Sequence, residues 1–454
     1  MEKLSRVSIV GLGKLGAPMA AAIASKGIQV IGVDLDDNKV AAINRLAAPV
    51  YEPGLSELLQ KSAGYVSATT DLYQAVLDSQ ATFIVVATPS QPDGHFSLEY
   101  VLKACQVIGE ALKKKDAWHT VVVTSTVSPL SMDRHIRPTL ESISGKTAGK
   151  DFGLAYNPEF IALGTVIRDF LNPDLILIGE SDKTTGDLLQ DLYERVLDKK
   201  PYYARMNFVN AELTKLAINT FVTTKISFAN MIARICERLP EADADTVTTA
   251  LGMDSRIGSK YLRGAISYGG PCFPRDNLAL IALARQVGIT ADIAETTDSF
   301  NRWQNQWLAE FIYQHLTLGQ KVGILGIAYK TGSDVITESP AIYVMEHLLQ
   351  KGISIIAYDP AAHTNARSIF GENIIWADSA AECIAQAEVI VILTTWPEFK
   401  NLPSNAWSPD GVIRKVIDCW RFLPEIADHP KVDYIPLGKS VQAPVTQTSV
   451  ETSA

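Results

Sequence analysis

The stretch Val7-Ser-Ile-Val-Gly-Leu-Gly-Lys-Leu-Gly16 decides the fold of this chain. A run of mainly β-branched residues leads into Gly11, Gly13 and Gly16, and a helical pattern follows over residues 17–26. Glycines at this spacing permit a tight turn and let a pyrophosphate approach the helix N-terminus. The same glycines can mark only a strand-to-helix turn. The strand before them and the helix after them favour a dinucleotide site.

The end of the second predicted strand, Gln29–Val33, supports this interpretation. Asp34 follows that strand, where a carboxylate can accept hydrogen bonds from the adenosine ribose hydroxyls. Because a carboxylate there repels a 2′-phosphate, we expect NAD rather than NADP. The later segment Gly323-Ile-Leu-Gly326 begins a similar strand without the full glycine set, so a nucleotide-type fold with or without a dinucleotide fits it equally well.

Strand and helix patterns alternate in two parts of the chain, up to about residue 200 and again from Lys321. Such alternation predicts parallel sheets with helices on both faces. Between them, apolar residues at helical spacing predict one long helix from Asn210 to about Leu239 and more helix from Asn277 to about Leu318. We predict an α/β protein with two Rossmann-like doubly wound domains joined by a long central helix and a helical middle domain. The predicted bounds are 1–200, 201–318 and 319–437, with a flexible tail at 438–454.

Composition excludes several classes of protein. The 454 residues exceed what one core usually supports, and 47% hydrophobic and 20% charged residues are typical of globular domains. A net charge of -9 without a long basic block argues against a nucleic-acid partner. No uncharged apolar stretch reaches the roughly 20 residues that a membrane-spanning helix needs. The five cysteines lack CxxC spacing, which argues against a disulfide framework and a metal site and favours a reducing, cytoplasmic location.

Cys272 is the first candidate for chemistry. It lies between Gly269-Gly-Pro271 and Phe273-Pro-Arg-Asp276, where backbone can approach a ligand closely and where Arg275 could favour the thiolate. Taken alone, the residue is as consistent with an ordinary buried cysteine.

Two further segments carry polar groups in suggestive places. Lys215 and Asn219 are spaced i and i+4, so both project from one face of the predicted long helix. For a lone lysine, a solvated helix edge would be the commoner explanation. Glu159 follows Pro158 in a loop beside the strands, a common location for catalytic groups in open α/β sheets, although a surface or capping glutamate fits as well.

Together these segments resemble the UDP-glucose dehydrogenase family, within the wider nucleotide-sugar dehydrogenases. The resemblance extends from about Val7 to Leu423 and depends on an ordered set of motifs. Besides the glycine loop, the set comprises Tyr51-Glu-Pro-Gly-Leu55, Thr88-Pro89, Ser125-Thr-Val127, Asn157-Pro-Glu-Phe160, Ala211-Glu-Leu-Thr-Lys-Leu-Ala217, Arg256-Ile-Gly258, Gly269-Gly-Pro-Cys-Phe-Pro-Arg-Asp276 and Glu338-Ser-Pro-Ala341.

The resemblance implies a catalytic set. Cys272 is implied as the covalent nucleophile, and Lys215 and Asp276 would flank the reacting sugar hydroxyl. Asn219 would help to stabilise an oxyanion, and Glu159, with Thr126, would handle water and a proton during hydrolysis.

The resemblance also implies binding residues. The expected cofactor contacts are Gly11, Gly13, Gly16, Asp34, Lys39, Thr88, Pro89 and Thr126. The expected substrate contacts are Glu159, Phe160, Lys215, Asn219, Arg256, Tyr261, Gly269, Lys330 and Arg421. Arg256 matches a family arginine that reaches the neighbouring subunit's sugar site, and the long helix matches a dimer core. We therefore expect a homodimer or a higher homo-oligomer.

The predicted function is NAD-dependent four-electron oxidation of the C6 hydroxyl of a nucleotide sugar, with UDP-glucose as the expected substrate. GDP-mannose or another UDP-sugar, including a UDP-N-acetylhexosamine, is the alternative within this chemistry. A non-catalytic nucleotide-sugar binding protein would not need the whole catalytic set. A 3-hydroxyacid dehydrogenase would explain the glycine loop and the Lys215/Asn219 pair, but neither Cys272 nor the second α/β domain.

Two positions depart from the family pattern. The apolar run Ile161-Ala-Leu163 replaces a segment that often carries a charge before the glycine, and Thr337 stands where arginine is usual. The first departure concerns the nucleotide contact, and the second concerns a contact on the cofactor side.

Overall fold

The computed structural model of the protein describes residues 3–440. Over this range the chain forms two compact units. The first runs through residue 218 and takes in Leu278–Thr290, and the second contains Asn219–Asn277 and the chain from Ala291 onward. Two helices, α9 (Phe208–Cys236) and α11 (Phe273–Gln286), contribute residues to both units.

The first unit is built on eight strands and eight complete helices. The strands are β1 (Arg6–Val10), β2 (Gln29–Val33), β3 (Val66–Thr69), β4 (Ala81–Ile84), β5 (Thr120–Val123), β6 (Gly153–Tyr156), β7 (Leu175–Glu180) and β8 (Tyr202–Met206). The helices are α1 (Gly16–Ala24), α2 (Asp37–Asn44), α3 (Leu55–Lys61), α4 (Leu72–Asp78), α5 (Glu99–Lys114), α6 (Arg137–Ser144), α7 (Val166–Leu171) and α8 (Lys183–Val196), with a π-helical turn over Met132–Ile136.

The strands form one sheet in the order β3-β2-β1-β4-β5-β6-β7-β8. All neighbouring strands are parallel except β6 and β7, which pair antiparallel. Strand β8 continues this sheet just beyond the predicted domain end at residue 200. The alternation of the sequence predicts the strands but not the reversal at β7, because strand direction depends on how the chain returns to the sheet.

Both faces of the first sheet are buried. On β5, Val121 and Val123 belong to one apolar cluster and Val122 belongs to another. Because successive side chains of a strand point to opposite faces, these two clusters lie on opposite sides of the sheet. Such double burial explains why the strands are almost continuously apolar and β-branched.

The second unit combines helices with a six-stranded parallel sheet in the order β11-β10-β9-β12-β13-β14. Its strands are β9 (Val322–Leu325), β10 (Ile355–Tyr358), β11 (Ile375–Trp376), β12 (Val389–Ile392), β13 (Arg414–Asp418) and β14 (Val432–Pro436). Its complete helices are α10 (Ala244–Met253), α12 (Asp292–Gln314), α13 (Pro340–Gln350), α14 (His363–Phe370) and α15 (Ala380–Ala385), with 3-10 turns at Gly371–Asn373, Pro397–Asn401, Ser404–Trp407 and Pro424–Asp428. The predicted fold class is therefore confirmed.

The predicted tail starts within the described chain. Gly438 donates its backbone N–H to Glu237 and accepts from the Ala244 N–H, so the first tail residues pair with the helical part of the second unit. The remainder of the predicted tail, residues 441–454, lies outside the described residues. Within residues 3–440, no helix has both the length and the apolar character to cross a membrane.

Candidate functional site

The residues predicted for cofactor binding and proton transfer meet at one edge of the first sheet. Gly11 follows β1, Asp34 follows β2, Thr126 follows β5 and Glu159 follows β6. These four strands are mutually parallel, so their carboxyl ends lie at the same edge. Open α/β sheets bind ligands at this edge.

The glycine loop has the backbone geometry that a bound pyrophosphate requires. Gly11 has a φ of +100°, and a Cβ there would lie 2.4 Å from the Val85 carbonyl oxygen. A Cβ on Gly16 would lie 1.8 Å from the Gly11 carbonyl oxygen. A Cβ on Gly13 would meet no atom within 4 Å, so the backbone is open to a ligand at this position. The loop therefore fits a dinucleotide pyrophosphate at the start of α1.

Asp34 is held beside this loop. One carboxylate oxygen accepts from the Leu12 N–H at 2.7 Å, and Lys39 Nζ lies 3.3 Å from the same oxygen. The Asp34 side chain is 12% exposed, which leaves part of the carboxylate accessible to ribose hydroxyls. The next residue, Leu35, is 91% exposed. Its exposure could not be deduced from a single leucine in the sequence.

Thr88 and Thr126, which were predicted on separate motifs, are in contact. The buried Thr88 hydroxyl donates to the Thr126 carbonyl at 2.8 Å. Strands β4 and β5 are neighbours, which brings the two loops together. The adjacent Pro89 is exposed and accepts through its carbonyl from the Ser97 N–H. The predicted cofactor contacts of these residues remain predictions.

Lys215 contacts the segment that carries Glu159. Its ammonium group donates to the Glu159 backbone carbonyl at 2.7 Å and lies 4.6 Å from the centre of the Phe160 ring. Lys215 is 5% exposed, so it is not at a solvated helix edge. The Tyr193 hydroxyl donates to Asn157 at 2.5 Å and lies 3.5 Å from the Glu159 carboxylate.

This environment changes the acidity of Glu159. Burial raises the pKa of the Glu159 carboxyl to about 7, and the Lys215 charge and the Tyr193 hydroxyl partly oppose that rise. A carboxyl group with a pKa near neutrality can accept and release a proton at working pH, as a general base must.

Glu212, one turn before Lys215, fixes the loop that follows Thr126. Its two carboxylate oxygens accept from the Leu130 N–H at 2.7 Å and the Met132 N–H at 2.8 Å. Burial raises the pKa of Glu212 to about 7, and the two backbone N–H groups partly oppose that rise. The contact satisfies amide groups at the start of the π-helical turn.

In the second unit, Cys272 lies at the start of a helix. Its carbonyl accepts from the Asp276 N–H at 2.8 Å, which is the first hydrogen bond of α11, and its side chain is exposed. The positive end of the helix dipole therefore lies at this residue, an environment that favours a thiolate. Among the described residues no disulfide links any of the five cysteines.

Asp276 and Asn219 form a buried pair in the same unit. The Asn219 amide donates to the Asp276 carboxylate at 2.6 Å, and Arg275 Nε lies 3.4 Å from its other oxygen. Asp276 is 1% exposed and Asn219 is 7% exposed. The structure thus brings together Cys272, Asn219 and Asp276, although Asn219 and Asp276 are 57 positions apart in the sequence.

Two glycines fix the loop that presents Cys272. The Gly270 N–H donates to the Thr337 carbonyl at 3.0 Å, and a Cβ on Gly269 would lie 2.1 Å from the Glu338 carbonyl oxygen. The predicted substrate residue Gly269 is therefore needed for a close backbone approach. Thr337 contacts this loop through its backbone carbonyl. Because every residue has this carbonyl, the contact does not depend on whether residue 337 is threonine or arginine.

The second sheet has an acidic residue where the first has Asp34, but the environment differs. Asp359 follows β10 and is 2% exposed. Its carboxylate accepts from the backbone N–H groups of Ile327, Ala328, Ala361 and Ala362 and from Trp396 Nε1. These bonds use Asp359 to hold its own loops, so the second sheet offers no ribose-binding carboxylate at this position. This favours a nucleotide-type fold without a dinucleotide.

Three predicted substrate residues have accessible side chains. Arg256 is 85% exposed and pairs with Asp254 at 2.6 Å. Tyr261 adopts a φ of +64°, and its ring meets the Phe273 ring edge to face at 6.2 Å. Lys330 is half-buried in the loop after β9. Their contacts with substrate remain predictions.

Arg421 has a structural role within the second unit. Its side chain is 3% exposed, and its guanidinium group binds both Asp245 oxygens at 2.8 Å and the Gly264 carbonyl at 2.6 Å. These bonds join the loop after β13 to α10 and to the loop before Cys272. The predicted substrate contact of Arg421 remains a prediction.

Sequence reasoning missed Tyr193, Glu212 and Glu52. The Glu52 carboxylate accepts from the backbone N–H groups of residues 164 and 166, in the loop that follows Glu159. Tyr193 follows Glu159 by 34 residues in an ordinary amphipathic helix, which leaves no local signal. Glu212 and Glu52 both lie in motifs that carried the family resemblance. The signal available in the sequence was an acidic residue within each of these two motifs.

Comparisons with known proteins agree with this geometry. Models of the UDP-glucose/GDP-mannose dehydrogenase family match the NAD binding domain at residues 5–197, the central domain at 209–303 and the UDP binding domain at 323–425. The NAD binding domain contains the glycine loop and Asp34, which confirms NAD as the cofactor.

Individual relatives cover most of the chain. UDP-glucose 6-dehydrogenase AglM of Haloferax volcanii is 38% identical over 87% of this chain and 92% of that protein. GDP-mannose 6-dehydrogenase of Pseudomonas aeruginosa is 35% identical over 92% of this chain and 97% of that protein. The structure of a UDP-glucose dehydrogenase from Pyrobaculum islandicum matches with a TM-score of 0.87 at 31% identity, over 96% of this chain and 98% of that chain.

The three domain matches follow one another along most of the chain, and the relatives above 30% identity span nearly their full length. The chain belongs to the UDP-glucose/GDP-mannose dehydrogenase family.

Proposed function

We propose that this protein is an NAD-dependent UDP-glucose 6-dehydrogenase, which oxidises the C6 hydroxyl of UDP-glucose to the carboxylate of UDP-glucuronate. The observation that carries the proposal is the exposed Cys272 at the N-terminus of α11, beside the buried Asn219 and Asp276 pair. The relative with 38% identity, named as a UDP-glucose 6-dehydrogenase, supports this substrate.

A thiol nucleophile suits a four-electron oxidation because the intermediate aldehyde must stay on the enzyme. The glycine loop and Asp34 would hold NAD, which would supply the hydride acceptor for each of the two oxidation steps at C6, and each step would also release a proton. After the first step, the Cys272 thiolate adds to the aldehyde carbon and forms a thiohemiacetal. Loss of the second hydride gives a thioester. Water then displaces the thiolate, which yields the carboxylate and regenerates Cys272.

The other residues act on charge and protons. The Lys215 ammonium and the Asn219 amide would stabilise negative charge that develops on the C6 oxygen. Asp276 holds the Asn219 amide in place through their 2.6 Å hydrogen bond. Glu159, with its pKa of about 7, would remove a proton from the water that attacks the thioester. The Thr126 hydroxyl would help to place that water.

GDP-mannose is the second candidate substrate, because the Pseudomonas aeruginosa relative of that name is 35% identical over nearly its full length. Both sugars carry the primary alcohol that the proposed chemistry requires. A panel of UDP-glucose, GDP-mannose and UDP-N-acetylhexosamines at matched concentrations distinguishes them by kcat/KM.

We also propose that the functional unit is a homodimer, or a larger assembly of such dimers. Helix α9 and the turn after it expose a row of apolar residues spaced by 7, 3, 4 and 4 positions, and this spacing places those within the helix on one face. The row consists of Phe221, Phe228, Met231, Ile235 and Leu239, with exposures of 67%, 45%, 41%, 46% and 52%. A row of neighbouring exposed apolar residues, rather than single scattered ones, is typical of protein interfaces. Arg256 would then serve the neighbouring subunit's sugar site.

Cysteines without disulfides, four of which are buried, support a reducing compartment, and we propose a cytoplasmic location.

The first test is the number of NADH molecules formed per UDP-glucose consumed, with the product identified by mass spectrometry. We expect two NADH per sugar and a uronate product. In Cys272→Ser we expect a loss of kcat of about 10³-fold or more, because a serine hydroxyl is a far weaker nucleophile than a thiolate at neutral pH. Cys105→Ser is a matched control, because Cys105 is buried in the first unit. Unchanged turnover in Cys272→Ser would exclude the thioester mechanism, and no turnover with UDP-glucose would exclude that substrate.

A further inference from the structure

Glu52 is a buried carboxylate that holds a distant loop. It lies in the motif Tyr51-Glu-Pro-Gly-Leu55 and is 7% exposed. One carboxylate oxygen accepts from the Gly164 N–H at 2.9 Å, and the other accepts from the Val166 N–H at 2.7 Å. These two hydrogen bonds join residues that are 112 and 114 positions apart in the sequence.

The loop that Glu52 holds begins at the proposed general base. Glu159 and Phe160 are followed directly by the run Ile161–Leu163 and then by Gly164. The start of the segment is held at the Asn157 side chain, which donates to the Leu177 carbonyl at 2.9 Å. Glu52 holds the other end, so the residues between Asn157 and Val166 are anchored at both ends.

Glu52 is itself tied to the cofactor loop. Its carbonyl accepts from the Leu55 N–H at 3.2 Å, and Leu55 is a fully buried member of an apolar cluster that contains Leu12 of the glycine loop. Ile167, the residue after the held Val166, packs against this same cluster. The Glu52 carboxylate and the cluster therefore connect the glycine loop to the loop that carries Glu159.

We propose that Glu52 is a positioning residue for thioester hydrolysis, which acts by fixing the loop that carries Glu159. This inference rests on the proposed function. A glutamine at residue 52 keeps the size of the side chain but has one acceptor oxygen, and its amide N–H groups would face a backbone N–H. The loop would lose one anchor, and the Glu159 carboxylate would be held less closely against the attacking water.

The test is pre-steady-state NADH formation by Glu52→Gln with saturating UDP-glucose and NAD. If hydrolysis alone is slowed, two NADH per active site should form in a fast burst, followed by a steady rate about 10-fold or more below that of the wild type. Mass spectrometry should detect the acyl thioester on the Cys272 peptide. The KM for NAD should change less than about twofold, because the Asp34 contacts are unaltered.

Glu141→Gln is the matched control, because Glu141 also accepts a backbone N–H, from Ala148 at 3.0 Å, but before β6 rather than after it. It should show the same burst and the same steady rate as the wild type. Glu52→Asp keeps two acceptor oxygens on a shorter side chain and should give an intermediate steady rate. A Glu52→Gln enzyme that turns over like the wild type, or that slows without thioester accumulation, would overturn the inference.

Amide hydrogen exchange separates failure of this inference from failure of the proposed function. In Glu52→Gln, without any ligand, the peptide covering residues 160–171 should exchange faster than in the wild type and in Glu141→Gln. Unchanged exchange there overturns the inference whatever the enzyme does. If the wild type forms no NADH from any nucleotide sugar, the proposed function fails, and with it the catalytic part of the inference.

Discussion

Among single side chains, Glu159 is expected to determine how kcat depends on pH. Burial raises its pKa to about 7, so the carboxyl group is mostly protonated below that pH and cannot act as a base. We expect kcat to rise with pH through about 7. Glu159→Gln should abolish this limb and lower kcat by roughly 10²–10⁴-fold.

Tyr193→Phe is the companion variant, because the Tyr193 hydroxyl lowers the pKa of Glu159. Its loss should move the acidic limb of the kcat profile to higher pH. Glu212 titrates in the same range, so an acidic limb that persists in Glu159→Gln and disappears in a Glu212 variant would contradict this assignment.

At the level of elements, Glu212 fastens helix α9 to the turn at Met132–Ile136. Glu212→Ala would leave the half-buried N–H of Leu130 and the buried N–H of Met132 without their acceptor. We expect a loss of roughly 1–3 kcal/mol in the free energy of unfolding, measured by urea denaturation. Glu141→Ala, which removes a partner of one half-buried N–H, should lose less.

The pH dependence of this loss has a definite sign. Burial raises the folded-state pKa of Glu212 above its ordinary value of 4.5 to about 7. A raised pKa contributes stability that is fully present below 4.5 and is lost as pH rises through 7. The difference in unfolding free energy between wild type and Glu212→Ala should therefore be larger at pH 5 than at pH 8. The reverse order would show that burial does not govern the Glu212 carboxyl group.

For the whole molecule, the exposed face of α9 predicts the oligomeric state. Phe228 is 45% exposed in the middle of that face, so Phe228→Asp should leave the fold of the subunit intact and place a charge in the proposed interface. We expect the wild type to sediment as a dimer or a larger species and Phe228→Asp to sediment as a monomer. The monomer should also have a lower kcat/KM if Arg256 serves the neighbouring site.

Ile413→Asp is the matched control for this prediction. Ile413 is 61% exposed in the second unit but lies outside the α9 face, so its replacement should not change sedimentation. If both substitutions dissociate the assembly, or if neither does, the result would argue against α9 as the dimer core.

The sequence by itself determined the architecture and the family. Hydrophobic periodicity predicts both parallel sheets and the long helix, because burial of apolar side chains is periodic in each kind of element. The glycine loop and Asp34 predicted the cofactor, because a tight turn and a ribose contact place their residues at a fixed local spacing. Such local chemistry can be read without coordinates.

Only the tertiary structure decided which side chains meet. The Asn219 bond to Asp276, the Tyr193 contact with Glu159 and the Glu52 bond to Gly164 join residues that are 57, 34 and 112 positions apart. The hydrogen bonds that occupy the Asp359 carboxylate and the burial of the Arg421 side chain also depend on neighbours from distant elements. Burial and hydrogen bonding arise when distant segments pack, so a local pattern could suggest a polar residue but not its partner or its acidity.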